Sequence, residues 1–217
     1  MIAINKPHGL LVHRSRIAGN ASQFALQLVR DYCGHYVYPV HRLDRKTSGV
    51  LLFTKSSETA KTIQKQFLDK TIQKNYLAMV RGYTPESGSI DYAIGEDQVK
   101  KDAVTLFTTL KNFEIDYPSH NHPTSRYSFL NIQPLTGRFH QIRKHMAHIR
   151  HPIIGDRPHG CNKQNRFWKN RFGITDMMLH ANKLILNDLS GNLIEIEAGM
   201  SDSFMKTLKT LEELSMH

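Results

Sequence analysis

Four consecutive apolar residues, Val50–Phe53, directly follow a nine-residue stretch, HRLDRKTSG (His41–Gly49), that carries four charges and a histidine. An apolar run of this length, bounded by turn residues, predicts a β-strand that is buried on both faces. Such a strand must pack against other elements on both sides, so it constrains the fold more than any other segment. The charged stretch at its entrance is either a surface loop or part of a functional site.

Other segments with the patterning of strands precede and follow this one, and short turns join several of them. They are Met1–Val12, Ile72–Gly82, Thr105–Leu110, Tyr127–Ile132, Met178–Asn187 and Leu193–Ala198. Helices are predicted for fewer segments, namely Ser22–Gly34, Ser56–Leu68, Phe139–Ile149 and a last helix capped by Asp202. Because strands and long helices do not alternate, the pattern predicts an α+β fold with a mostly antiparallel central sheet flanked by helices and loops.

Two further segments are expected to lie outside these elements. Asn112–Ser125 has the composition of an excursion, either a loop or a ribbon, between two strands. Asn162–Gly173 is polar and basic and is expected to be an exposed loop. No linker divides the chain, so the prediction is one domain over residues 1–217.

The chain of 217 residues has a net charge of +10 and a pI of about 9.6. The positive charge is spread over the whole chain, and this favours a polyanionic partner such as a nucleic acid. Cys33 and Cys161 are the only cysteines and form no metal-binding CxxC pair, which indicates a reducing, cytoplasmic compartment. Neither a signal peptide nor an apolar run of roughly 18 residues is present.

Asp44 lies between Arg42 and Arg45 in the charged stretch. As a nucleophile it would have to be ionised, positioned and poorly solvated. A nearby cation would offset the desolvation that otherwise raises the pKa of a buried carboxyl group. A helix cap or a surface salt bridge would use the same residue types. This stretch alone leaves both interpretations open.

The predicted helix Phe139–Ile149 carries a second group of candidates. Arg143 borders its apolar face and could reach a carboxylate across a cleft. His140, Lys144 and His148 form a row at i, i+4 and i+8 on another face. Such a row suits contacts with phosphates, although a solvated helix face has the same pattern.

Tyr76 alternates with Ala78 and Val80 on one face of the predicted strand Ile72–Gly82. An aromatic ring with a hydroxyl group can stack on a base and form a hydrogen bond beside it. An ordinary strand tyrosine is the alternative.

The histidines of the same region raise the possibility of a metal-dependent hydrolase built on His145, His148 and Asp156. Metal-binding helices more often pair ligands at i and i+4, as in HExxH, and that motif is absent. No GxxxxGK[ST] or GxGxxG motif indicates a nucleotide cofactor either.

Taken together, these stretches resemble a known family, the RluA-type pseudouridine synthases. HRLDRKTSGVLLFTK resembles the catalytic motif of the family, and four other segments match in the same order. They are NKPHGLLVH, QKNYLAMVRG, TGRFHQIRKHMAHIRHPIIGDRPHG and MLHANKLIL. The resemblance spans residues 3 to about 200. It implies the pseudouridine synthase fold, with a catalytic cleft across the sheet and no appended RNA-binding domain.

The resemblance also implies a role for each matched residue. Asp44 corresponds to the nucleophilic aspartate, and Arg143 to the arginine that pairs with it. Tyr76 corresponds to the tyrosine that packs against the target base and assists proton removal. Arg42 corresponds to the arginine that helps to take the nucleotide out of its stack, and Leu179 to an apolar residue of the base pocket.

Arg138 and His140, in the same motif as Arg143, are assigned to substrate binding. The family needs neither a cofactor nor an obligatory metal. The implied reaction is the isomerisation of a uridine in structured RNA, after the base has been flipped out of its helix. A glycal route and a covalent-adduct route remain open for Asp44.

Within the family, the nearest likeness is to the enzymes that modify uridine 65 of tRNA. LLVHRS, RHPIIGD and PTSRYSFLNIQPLTGR carry it. A monomer is expected. The chain begins directly on the strand IAINKP, where family members carry a preceding strand, so a late start or trimming is also expected. An rRNA-directed enzyme of the same family and a non-catalytic RNA-binding protein on this fold stay open as alternatives.

Overall fold

The computed structural model describes residues 1–14, 22–96, 99–118 and 122–215. The chain divides into two compact units: Met1–Lys74 with Ala181–Gly199, and Asn75–His180 with Met200–His217. In chain order, the strands and helices of the described residues are β1 (Ile2–Lys6), α1 (Ala25–Cys33), β2 (Tyr38–Pro39), β3 (Ser48–Thr54), α2 (Ser57–Leu68), β4 (Gln73–Arg81), β5 (Ser87–Asp91), β6 (Ile94–Glu96), β7 (Val99–Lys101), β8 (Val104–Ile115), β9 (Ser125–Pro134), α3 (Gln141–His148), α4 (Asn162–Phe172), β10 (Leu179–Asn187), β11 (Leu193–Glu197) and α5 (Asp202–Leu214).

Strand β3 is the centre of the first unit. Every residue from Ser48 to Thr54 is buried, which confirms the strand predicted from the apolar run. β1 pairs with it antiparallel, from Ile2 opposite Phe53 to Lys6 opposite Gly49, and β10 is its other neighbour. β11 lies off this order and is a further antiparallel partner of β10. Apolar residues of the strands and of α2 form the core of this unit: Val40, Val50, Leu52, Ala60, Ile63, Ile72, Leu184 and Leu186.

Gly49 joins the charged stretch to β3, and only glycine fits there. Its φ is +110°, a region that other residues rarely adopt, and a Cβ atom would lie 2.1 Å from the carbonyl oxygen of Ala181. The glycine therefore permits the close approach of β3 to β10.

The second unit contains the strand order β4-β9-β8-β5, with each neighbouring pair antiparallel. Strands β8 and β9 form a long ribbon that pairs from Thr105 opposite Pro134 to Ile115 opposite Ser125. This ribbon includes the two ends of the segment predicted to be an excursion, Asn112–Ile115 and Ser125, and residues 119–121 of that segment lie outside the described residues. The core of this unit is built from the strands together with α3, α4 and α5, and includes Met79, Leu130, Met146, Trp168 and Phe204.

The predicted α+β class with mostly antiparallel pairing is confirmed, and so is the start of α2, where the side chain of Ser56 accepts a hydrogen bond from the amide of Thr59. Two helix starts were predicted wrongly. α1 begins at Ala25 after Phe24, without a side-chain cap from Ser22. The cap of α5 is Ser201, whose hydroxyl accepts from the amide of Phe204, and Asp202 is the first helical residue.

The prediction of a loop over Asn162–Gly173 was wrong. Asn162–Phe172 is helical and buries only Gln164 and Trp168, which are four positions apart. Phe167 and Phe172 also pack against the core, but these residues and Trp168 are the three apolar residues among eight polar ones, so the sequence pattern does not give the broad apolar stripe typical of a core helix. The helix ends at Gly173, whose φ of +69° is the left-handed conformation typical of a C-cap.

Candidate active site

Arg143 lies on the inner face of α3, in the second unit, and only 4% of it is exposed. Its Nε donates to Oδ2 of Asp156 over 2.7 Å, and its Nη2 donates to Oδ1 over 2.8 Å. The carboxylate is buried as well. A buried guanidinium needs such a bidentate partner, because an isolated charge would be strongly disfavoured there. The pair therefore holds Arg143 in one orientation.

The segment around Asp156 is itself held in place by α4. Asn165 donates from Nδ2 to the carbonyl oxygen of Asp156 over 2.7 Å, and its Oδ1 accepts from the amide of Gly155 over 2.8 Å. A Cβ atom on Gly160 would lie 1.8 Å from the same carbonyl oxygen. The sequence interpretation considered Asp156 only as a metal ligand. Its role beside Arg143 depends on a contact between two segments that no local pattern shows.

The three residues of the metal alternative have separate partners. The Nε2 atom of His145 is 2.9 Å from the carbonyl oxygen of Tyr92, the ring of His148 stacks on that of Tyr92 at 3.8 Å, and Asp156 binds Arg143. Burial also lowers the pKa of His145, which favours the neutral ring. Within residues 1–14, 22–96, 99–118 and 122–215, no group of three or more His, Cys, Asp or Glu side chains could hold a metal ion.

Arg138 and His140 lie just before α3, and both are half-buried. Arg138 donates from Nε to the carbonyl oxygen of Asp102 over 3.1 Å. His140 has a φ of +56°, its ring stacks on that of Phe139, and its Nδ1 is 2.9 Å from Nε2 of His159. This turn therefore carries a guanidinium, an imidazole ring in contact with His159, and an exposed phenyl ring, just before the helix of Arg143.

Tyr76 and Leu179 belong to the same apolar cluster of the second unit. Leu179 is buried within it, and the half-buried Tyr76 packs against it. Tyr76 lies in β4 opposite Ile132 of β9. Both residues thus have apolar surroundings, and their role in binding a base stays a prediction.

Asp44 and Arg42 are in the first unit. Asp44 is half-buried and its carbonyl oxygen accepts from the amide of Thr47 over 3.1 Å, so a tight turn leads from Asp44 into β3. Arg42 is exposed, while the intervening Leu43 is buried and anchors the loop. Arg45 donates from Nε to the carbonyl oxygen of Gly9 over 3.0 Å. Of the two flanking arginines, Arg45 thus fixes the loop to the N-terminal turn.

Lys6 is a buried residue near Asp44 that the sequence interpretation missed. Its Nζ donates to the carbonyl oxygens of Pro7, Leu10 and Arg45 at 2.9, 2.9 and 3.2 Å. Burial lowers its pKa to about 8, and the negative charge of Asp44 opposes this shift. Lys6 therefore ties the N-terminal turn to the loop that carries Asp44. The only signal in the sequence was the lysine of the NKP segment.

His41 opens the charged stretch, but its role in the structure is that of an acceptor. Its Nε2 accepts a hydrogen bond from the amide of Leu52 over 3.0 Å, and its ring stacks on Phe67. Burial, together with the positive charge of Lys74, lowers its pKa to about 4. The ring is therefore neutral near pH 7 and supports β3.

The fold and these local arrangements can be compared with known proteins. The family model described as RNA pseudouridylate synthase matches residues 1–148. The chain belongs to the RNA pseudouridylate synthase family. As a member of this family it is an isomerase that converts uridine in RNA to pseudouridine. The resemblance drawn from the ordered motifs is confirmed.

Individual RNA pseudouridylate synthases match over most of their length. A protein of Pasteurella multocida named tRNA pseudouridine synthase C is 42% identical, over 98% of this chain and 93% of that protein. The protein of the same name from Vibrio parahaemolyticus is 38% identical, over 97% and 91%. The solved structure of human RNA Pseudouridylate Synthase Domain Containing 4 shares the fold, with a TM-score of 0.75, 22% identity and coverage of 97% of this chain and 89% of that chain.

Among the described helices of this pseudouridylate synthase, none is long and apolar enough to cross a membrane.

Proposed function

We propose that this pseudouridine synthase acts on tRNA and that its target is uridine 65. The observation that supports this most is the match to relatives named tRNA pseudouridine synthase C, which extends over nearly the whole chain. The segments LLVHRS, RHPIIGD and PTSRYSFLNIQPLTGR add the likeness to the enzymes of uridine 65. The net charge of +10 suits a polyanionic substrate of this size.

Asp44 is the proposed nucleophile. The reaction breaks the bond between N1 of the uracil and C1′ of the ribose, turns the base and forms a bond from C5 to C1′. The proton leaves C5 and N1 regains one, so the reaction needs no redox partner and no cofactor. Asp44 either adds covalently or assists formation of a glycal. The support for Asp44 is its place in the matched motif and the tight turn that fixes it before β3.

Arg143, Tyr76 and Leu179 complete the proposed catalytic group. The bidentate bond with Asp156 supplies a guanidinium of fixed orientation. The pairing of Arg143 with Asp44 stays a prediction. Tyr76 and Leu179 offer an apolar setting for a detached uracil, and the hydroxyl of Tyr76 is the proposed group for removing the proton from C5.

Arg42, Arg138 and His140 are the proposed RNA contacts. Arg42 is exposed at the entrance to the Asp44 turn, where it could replace the flipped nucleotide in the helix. Flipping a base requires a few kcal/mol, and contacts to phosphates offset this. Arg138 and His140 lie at a surface turn that carries the charges and the aromatic ring such contacts use. A monomer in which both units form one catalytic domain, in the cytoplasm, completes the proposal.

The test is incubation with unmodified bacterial tRNA and rRNA transcripts, followed by carbodiimide mapping of pseudouridine. We expect a single modified position, uridine 65 of tRNA. Product only in rRNA would move the enzyme to the rRNA-directed alternative, and binding without product would support the non-catalytic one. Asp44→Asn should abolish product and retain RNA binding. Asp31→Asn, which changes an exposed carboxylate of α1, is the matched control.

A further inference from the structure

Helix α4 has an exposed face whose charges are all positive. Lys163, Arg166, Lys169 and Arg171 are exposed, and Asn162–Phe172 contains no aspartate or glutamate. The side chains that turn inward are those of Gln164 and Trp168. We call the exposed side of Lys163, Arg166, Lys169 and Asn170, together with Arg171, the α4 basic face.

The cations of the α4 basic face contrast with several lysines elsewhere in the protein. Four lysines, one each in α2, β8, β10 and α5, lie beside a carboxylate, in the pairs Lys65–Asp69, Lys111–Glu212, Lys183–Glu197 and Lys209–Glu213. Among the residues described, no carboxylate pairs with Lys163, Arg166, Lys169 or Arg171. Lys163 and Arg166, and likewise Arg166 and Lys169, are three positions apart on the helix, and the repulsion between their like charges disfavours it. Lys163 is also in the first turn, where the helix dipole disfavours a cation.

The same face contains a shallow concavity of about 390 Å³, lined by Lys163, Arg166, Phe167, Asn170 and Arg171. Arg171 is held in place because its Nε and Nη2 donate to the hydroxyl oxygen of Tyr117 at 3.1 and 2.8 Å. The rings of Tyr117 and Phe167 lie 5.4 Å apart. Cations beside aromatic rings can bind the phosphates and stack on the bases of a nucleic acid. They suit a nucleic acid better than an apolar protein surface.

Another side of α4 holds the segment of Asp156 through Asn165, and Asp156 holds Arg143. One rigid helix thus connects the basic face to the buried guanidinium. A strand of RNA that binds the α4 basic face is therefore held in a fixed register with α3. This is the arrangement expected of phosphate contacts that position a substrate without reading its sequence.

We propose that the α4 basic face binds the phosphate backbone of the RNA substrate and thereby positions it. This inference rests on the proposed function for the identity of the RNA. Its test measures RNA binding and does not require that pseudouridine is formed. The occupant is RNA because the family acts on RNA and the charges are complementary to it. An acidic protein would match the charge, and it is the competing outcome of the test.

The decisive variant replaces Lys163, Arg166 and Lys169 with glutamine, which retains the helix propensity of the segment. Binding of an unmodified bacterial tRNA transcript is measured by fluorescence anisotropy over a range of salt concentrations, and pseudouridine formation is measured in parallel. We expect the affinity to fall about ten-fold or more and the slope of log K against log salt to decrease by about 2–3, because three phosphate contacts are lost. The value of kcat at saturating RNA should stay within about two-fold, since the chemistry is unchanged.

The matched control replaces Lys61, Lys65 and Lys209 with glutamine, which removes the same charge from other exposed positions. A second variant, Lys163→Arg with Arg166→Lys and Lys169→Arg, keeps the charge and should bind as the unaltered protein does. If the glutamine variant of α4 binds RNA as tightly as the control, the inference is wrong and the face serves another partner. A wild-type protein that binds RNA but forms no pseudouridine would contradict the proposed function. The binding measurements on the α4 variants would still test the α4 basic face.

Discussion

Arg143 and Asp156 form a buried ion pair with two hydrogen bonds, from Nε to Oδ2 over 2.7 Å and from Nη2 to Oδ1 over 2.8 Å. The pair joins α3 to the segment that follows it, and Asn165 of α4 holds the same segment by its backbone. The orientation of the guanidinium is therefore set by the protein before any RNA arrives. Preorganised charge of this kind stabilises a transition state without reorganisation during the reaction.

Asp156→Asn should destabilise the protein strongly, because it leaves the buried guanidinium of Arg143 without its charge partner. We expect the free energy of unfolding in urea to fall by about 3 kcal/mol. Pseudouridine formation should fall at least about ten-fold, since Arg143 loses its fixed orientation. Asp69→Asn removes an exposed partner of Lys65 and should cost less than about 1 kcal/mol. Equal effects of the two substitutions would contradict the role given to the buried pair.

Lys6 should make stability depend on pH in the alkaline range. Its pKa is lowered from 10.5 to about 8 in the folded protein, so between these values the unfolded chain binds more protons. The free energy of unfolding therefore rises as the pH increases from 8 to 10.5, by roughly 3 kcal/mol from this group at most. Because Lys74 has a lowered pKa of about 8 as well, Lys6 must be followed individually, by the NMR signal of its Nζ.

The negative charge of Asp44 raises the pKa of Lys6. Asp44→Asn should therefore lower the pKa of Lys6 further and start the rise in stability at a lower pH. Asp31→Asn should leave the titration of Lys6 unchanged. An unchanged titration in Asp44→Asn would show that the two charges do not interact.

His41 should contribute to acid sensitivity. Its pKa is lowered from 6.5 to about 4, so the unfolded chain binds the additional proton between these values. The contribution of His41 to the free energy of unfolding is fully present above pH 6.5. It is lost as the pH falls to 4, and the loss is roughly 3 kcal/mol at most. His41→Gln should reduce this pH dependence in urea unfolding, because glutamine retains an acceptor for the amide of Leu52 and does not titrate. If the free energy of unfolding of His41→Gln depends on pH as steeply as that of the unaltered protein, the acid sensitivity comes from other groups.

Gly49→Ala should prevent normal folding. The added methyl group would lie 2.1 Å from the carbonyl oxygen of Ala181, in a backbone conformation that alanine disfavours. We expect no folded protein, or a loss of more than about 3 kcal/mol in the free energy of unfolding. Gly199→Ala is the control, because nothing lies within 4 Å of its added Cβ atom. Circular dichroism and urea unfolding of the two variants decide the matter.

The family, the α+β class and the helix that carries Arg143 could be predicted from the amino-acid sequence. The ordered motifs sufficed for the family, the apolar run Val50–Phe53 for the buried strand, and the spacing around Arg143 for a helix with that residue at the border of its apolar face. These features are encoded in short segments, where side-chain type and periodicity translate directly into local structure and burial.

The groups that support these residues could not be predicted from the sequence and became known from the folded structure. Asp156 came to Arg143, and Lys6 to the loop of Asp44, by contacts between segments that are not adjacent in sequence. Helix α4 was missed because eight of its eleven residues are polar, and it is stabilised by the packing of Phe167, Trp168 and Phe172 in the core and by a glycine C-cap. The partner of a buried charge depends on which distant segments of the chain come into contact in the fold. A local sequence pattern does not specify those contacts.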